Sequence, residues 1–180
     1  MRRPAPPAGH VALTYLVDAN VLYSRVLRDY LLYSMRAKLI HVMWSKAILG
    51  EVTRRLMEKL PGFTQESADR LVRAMNTAFP YAQRDAENKD FAKLADVVLP
   101  DEDDRHVIAA AIAALVDSVC THDVGDFPID VMQRFGMTVV TPDDLLCDLI
   151  RRHEAHAVGA PNVCGELARI YRRVDNACAQ

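Results

Sequence analysis

Short apolar runs that stop at a carboxylate constrain this chain more than any other feature. Val11-Ala12-Leu13-Thr14-Tyr15-Leu16-Val17 is β-prone and breaks off at Asp18. Val97-Val98-Leu99 runs into Pro100-Asp101-Glu102-Asp103-Asp104, and Ser118-Val119-Cys120-Thr121 ends at His122-Asp123. Two further runs, Leu39-Ile40-His41-Val42-Met43-Trp44 and Met137-Thr138-Val139-Val140, lead into Ser45 and Thr141. Strands that are apolar without alternation are covered on both faces, as in a parallel sheet.

Between these runs the apolar spacing becomes helical. Val21, Leu22, Val26, Leu27, Leu31, Leu32 and Met35 predict one helix over 20–36, and Ile48, Leu49, Val52 and Leu56 a second. Ser45 is a good N-cap for that second helix, and Pro61-Gly62 stops it. Helices are also expected over 65–78, in the alanine-rich segment 105–116, after Thr141-Pro142, and over 162–173. Strands alternating with helices define an α/β class, a central parallel sheet of about five strands sandwiched by helices, with a C-terminal helical extension.

With 180 residues and hydrophobic content of 51%, the chain suits one soluble domain. Residues 1–10 read as a flexible basic and proline-rich tail, 11–146 as the main α/β domain, and 147–180 as a helical extension packing on it. No apolar run approaches the roughly 20 residues of a membrane span. Cys120, Cys147, Cys164 and Cys178 form no C-x-x-C pair, so buried free thiols in a reducing cytoplasm are expected. A net charge of −2 excludes a globally basic nucleic-acid trap. Any such binding falls to local basic pairs, for which Arg54-Arg55, Arg151-Arg152 and Arg172-Arg173 are the candidates.

In parallel sheets ligands gather at the carboxyl ends of the strands. Asp18, Asp104 and Asp123 therefore converge on one edge, with Asp126 close behind and Glu51 in the first two turns after Ser45. Two carboxylates about 5 Å apart repel by roughly 3 kcal/mol at an effective dielectric near 20. Such a group needs a cation or a proton to persist, and oxygen ligands of this kind suit Mg²⁺ or Mn²⁺. That ion activates water and stabilises charge developing on a phosphate, which is nuclease chemistry.

Each residue also has a bland reading. Single aspartates after strands are turn formers or caps, and Asp101, Glu102 and Asp103 complement the dipole of the following helix. Asn20 either lines the site or starts a helix. Thr121 either orients a ligand or is only a β-branched strand residue. His106 and His122 flank two of the acids and raise a transition-metal alternative. Ser24 and Ser45 have no base partner, and no P-loop or G-x-G-x-x-G is present.

The run Tyr15-Leu16-Val17-Asp18-Ala19-Asn20-Val21-Leu22 resembles the opening strand and turn of a PIN domain. Trp44 to Val52, with Glu51 as its acid, is similar to that family's second motif. Asp103-Asp104-Arg105-His106-Val107-Ile108-Ala109-Ala110-Ala111 is similar to the third, with Asp104 the better match. Cys120 to Pro128 resembles the fourth, where either Asp123 or Asp126 is the key acid. The resemblance covers 13–146. It implies a Mg²⁺- or Mn²⁺-dependent ribonuclease in which Asp18, Glu51, Asp104 and Asp123 hold metal, Asp126 assists, and Asn20 and Thr121 support them. Bacterial members with such motifs resemble toxins of toxin–antitoxin pairs, which implies an RNA substrate, a homodimer and a small antitoxin partner. A non-catalytic RNA- or protein-binding PIN-like module is the alternative from another class. A haloacid-dehalogenase-like phosphatase is disfavoured, because the second aspartate it wants is Asn20 here.

Overall fold

β1 (Thr14–Val17) occupies the middle of the molecule because both of its edges are paired. In the computed structural model, which describes residues 12–154, it lies between β2 (His41–Met43) and β3 (Ser118–Cys120). β4 (Thr138–Val140) completes a four-stranded sheet of order β2-β1-β3-β4, parallel throughout. The register sets Leu16 opposite Met43, Val17 opposite Cys120 and Cys120 opposite Val140, so the residues that follow all emerge along one edge. Leu16, Val17, Val42 and Val119 are fully buried, as strands covered on both faces require. The expected tail over 1–10, the helix over 162–173, Arg172-Arg173, Cys164 and Cys178 lie outside the described residues.

The strand count is four, where five were expected. Val97-Val98-Leu99 is apolar, but its backbone finds partners in a turn and in side chains instead of a neighbouring strand, the Val97 N–H donating back to the Leu94 carbonyl at 3.1 Å. The Arg105 guanidinium donates to the carbonyls of Leu94 (2.6 Å) and Val97 (2.8 Å), and the Leu99 N–H donates to Glu102 Oε1. Val98 is left 86% exposed, which no sheet-core residue would be.

Helices fill both faces. α1 (Ala19–Leu22) and α2 (Arg25–Arg36) stand where a single helix over 20–36 was expected. The break is local: Ser24 has extended backbone and its hydroxyl accepts from the Leu27 N–H, capping a new helix. α3 (Lys46–Lys59) is capped by Ser45, whose Oγ accepts from the Ile48 N–H at 3.1 Å, and Gly62 follows at φ +84° to turn the chain back. α4 (Gln65–Ala78) and α5 (Asn88–Ala92) then lead to α6 (Arg105–Ala114), whose Val107 to Ile112 are all buried. α7 (Ile129–Arg134) was not anticipated, since six residues are too few to show a helical period.

α8 (Pro142–Glu154) is capped by Thr141, which accepts from the Asp144 N–H, and it sends Leu145 and Leu149 into the core. Cys120 is buried as expected, whereas Cys147 is exposed because Leu145 and Leu149 take the inward positions of its helix. Trp44 ends the β2 segment fully buried, and its indole N–H donates to Asn76 Oδ1 at 3.0 Å. That bond lets an aromatic amine sit in the core without a desolvation penalty. Among the described residues no helix is long and apolar enough to cross a membrane.

Candidate active site

In this strand order the chain leaves β1 towards one side of the sheet and β3 towards the other, so a crevice opens between their carboxyl ends. Asp18 and Thr121, the residues after the paired Val17 and Cys120, face each other there. Asp18 is only 6% exposed. It caps α1 by accepting from the Ala19 N–H, while its other oxygen accepts from the Thr121 hydroxyl at 2.8 Å. The same hydroxyl oxygen accepts from Asn20 Nδ2 (2.9 Å) and from the Asp123 N–H (3.1 Å). A threonine hydroxyl has one proton and two lone pairs, and all three are used.

Asn20 also donates to Asp123 Oδ2 at 2.9 Å and accepts from the His122 N–H at 3.3 Å. Four residues from two strand ends are thus one network, in which Thr121 is the hub. Replacing Thr121 with valine keeps the shape and removes the hub. We expect Thr121→Val to lower stability by about 1–2 kcal/mol, the usual cost of stranding buried polar groups, with Thr121→Ser recovering most of it. Equilibrium urea unfolding reads the difference, and an unchanged midpoint would show that the network contributes no stability.

Asp104 reaches the edge from the opposite direction, at the start of α6, where its side chain makes no capping hydrogen bond. Burial and the nearby charges of Asp18, Asp101 and Asp126 push its carboxyl up to about 6. Asp18 is likewise raised, chiefly by burial and further by Glu51, against the pull of Thr121, the Ala19 N–H and Arg55. Glu51 lies on α3, one face of which lines a cleft of about 350 Å³ shared with Asp101, Asp103 and Asp104.

His106 stands between them. Its Nδ1 is 2.7 Å from the Asp103 carbonyl oxygen, which only accepts, so Nδ1 carries a proton. Its Nε2 lies 3.0 Å from Glu51 Oε1 but is too poorly aligned for a hydrogen bond, so the contact is one of charge. Both ring nitrogens therefore face acceptors. The Glu51 carboxylate raises His106, and the imidazolium in turn holds Glu51 below the usual carboxylate range.

The sequence-chosen residues thus fall into three positions at one edge. Asp18, Asn20, Thr121 and Asp123 are hydrogen-bonded together; Asp104 and Asp126 are close enough to repel; Glu51 is held by His106 across the cleft. Asp123 is exposed, and Asp126 lies at the end of a short 3-10 turn over Val124–Asp126. No three His, Cys, Asp or Glu side chains among the described residues are gathered tightly enough to enclose an ion as they stand. The donor set nonetheless suits a hard divalent cation: oxygen ligands whose mutual repulsion a cation relieves, one of them, Asp104, without a hydrogen-bond donor of its own.

Two neighbours of the acids were singled out from the sequence without their place in the site. His106 was weighed as a transition-metal ligand and not as the partner of Glu51, and Arg55 was named with Arg54 as a candidate nucleic-acid-binding pair and not as a neighbour of the acids. The available signal was spacing, since Arg55 is four residues after Glu51 and so shares its helix face.

A family model described as PIN domain matches residues 14–125 of this chain. No curated protein sequence matches it. Among solved structures it is similar to the crystal structure of PAE2754 from Pyrobaculum aerophilum, with 17% sequence identity and a TM-score of 0.48. That similarity covers 80% of this chain and 94% of the other.

Proposed function

The chain belongs to the PIN domain family, commonly a nuclease fold, and from that premise we propose that it is a divalent-metal-dependent ribonuclease. The observation that carries the reading is the crowding of acids at the strand ends: Asp18 and Asp104 are each raised in part by neighbouring acids, and Asp104 shares a cleft with Glu51. Acids held together against their own repulsion cost stability, and a structural role gives no return for that cost.

Asp18, Glu51, Asp104 and Asp123 are the residues that would hold Mg²⁺ or Mn²⁺, with Asp126 beside them. When bound, such an ion supplies activation of water and neutralisation of the charge that builds on a phosphodiester in hydrolysis. The chain's own residues do the positioning. Thr121 and the Ala19 N–H fix both oxygens of Asp18, so this carboxylate cannot rotate away from the cleft. Asn20 ties Asp123 to the same hydroxyl and sets its orientation. His106 confines Glu51 to the side of the cleft facing α6, and in the metal-free protein Asp104 holds a proton below about pH 6.

The direct test incubates purified protein with single-stranded and structured RNA in Mn²⁺, Mg²⁺ or EDTA. Cleavage in either metal that EDTA abolishes is expected. No cleavage in any metal, together with no divalent binding by calorimetry, would replace the catalytic reading with a scaffold that binds RNA or protein.

A further inference from the structure

Arg55 lines the carboxylate cleft and is spoken for by nothing in it. The other cations at this edge are committed. Arg54 pairs with Glu58 at 3.2 Å, Arg105 holds Glu102 and the carbonyls of Leu94 and Val97, and His106 faces Glu51. Arg55 makes no hydrogen bond or ion pair with any described residue, although it shares the cleft with Glu51, Asp101, Asp103 and Asp104. Its charge is felt at both Asp18 and Glu51, so it is near these acids without bonding to either.

A strand of phosphates meets a wall of carboxylates here and is repelled unless a cation receives it at the rim. A guanidinium offers two parallel donors that match the spacing of two phosphate oxygens, and it stays charged at every relevant pH. α3 supplies the position, because a spacing of four residues sets Arg55 one turn from Glu51 on the same face.

We propose that Arg55 is a substrate-holding residue, clamping a backbone phosphate of the nucleic-acid strand beside the one presented to the carboxylates. This rests on the ribonuclease reading. It adds to it the residue that offsets the like-charge repulsion between the cleft and its substrate.

The test compares full-length wild type, Arg55→Ala and Arg55→Lys in two measurements. Binding of a short fluorescein-labelled single-stranded RNA is followed by anisotropy in EDTA over a range of KCl, and cleavage kinetics are followed in Mn²⁺. Losing one phosphate contact reduces the slope of log affinity against log salt by about 0.7 for a single strand. It weakens binding and raises KM by about ten-fold, the cost of one charged hydrogen-bonded contact, with kcat little changed. Arg55→Lys keeps the slope and recovers only part of the affinity, since an ammonium cannot bond in parallel.

An unchanged slope and KM in Arg55→Ala would overturn the clamp. So would a change confined to Mn²⁺ affinity by calorimetry, which marks Arg55 as a counter-ion of the acids alone. Wild-type protein that cleaves RNA while Arg55→Ala binds it equally well defeats the clamp and spares the nuclease. Wild-type protein that neither cleaves nor binds defeats both.

Discussion

Asp18→Asn is expected to abolish RNA cleavage, lowering kcat/KM by about a thousand-fold or more while the protein stays folded. A loss of that size is about 4 kcal/mol of transition-state stabilisation, appropriate to removing a charged ligand from the centre of a metal site. The fold survives because the substitution is nearly balanced. The introduced amide keeps an oxygen to accept from the Ala19 N–H, so the cap on α1 is retained. Its nitrogen replaces the oxygen that accepted from Thr121, and it meets a hydroxyl whose lone pairs are already taken by Asn20 and the Asp123 N–H. That lost bond destabilises, and removing a buried charge that burial had raised offsets it. Cleavage assays paired with thermal melts separate the effects. Full activity in a folded Asp18→Asn protein would sink the assignment, whereas a variant that melts many degrees lower would point to a structural carboxylate.

The features legible in the sequence were those carried by local pattern. Asp18 and the strand before it could be read because an apolar run and its abrupt end both lie within a few residues. Glu51 was harder, since its place depends on where α3 starts, but Ser45 announced that start. Val97-Val98-Leu99 was misread because its hydropathy is that of a strand. What decides its structure is a turn and a distant side chain: the Val97 N–H bonds back to the Leu94 carbonyl, and Arg105, beyond the acidic turn, takes up the Val97 carbonyl that a neighbouring strand would have used. No periodicity reports a side chain substituting for a ladder.

The same limit applies inside the site. Thr121 was read either as orienting a ligand or as a plain β-branched strand residue, and its role as hub depends on contacts with residues about a hundred positions away, Asp18 and Asn20. The Glu51–His106 contact joins α3 to α6, and Arg55 matters only because the cleft brings it near acids from other elements. Pattern located the carboxylates, while tertiary structure determines what holds each of them.

Asp104→Asn is expected to stabilise the metal-free protein at neutral pH, an effect whose sign separates a site residue from a helix cap. In the native protein this carboxyl is raised from 3.8 to about 6 by burial and by Asp18, Asp101 and Asp126. The native state therefore keeps a proton that the unfolded chain has already released between about pH 4 and 6. Stability falls as pH rises through that window, and above it the charged carboxylate exacts its full cost. The shift corresponds to about 3 kcal/mol before screening, and solvent around this part-exposed group reduces it to about 1–2 kcal/mol. At about pH 7.5 in EDTA the variant should melt about 3–6 °C above wild type, and at about pH 4 the difference should vanish. Mn²⁺ should then raise the wild-type midpoint by binding the native state, and raise that of Asp104→Asn far less. A helix-capping aspartate behaves the opposite way, because its charge favours the N-terminus of α6 and its loss costs about 0.3–1 kcal/mol. A variant less stable than wild type at neutral pH without metal would place Asp104 among the caps and remove it from the site. A variant more stable without metal and less responsive to it would mean that the native fold tolerates this charge for the sake of a cation.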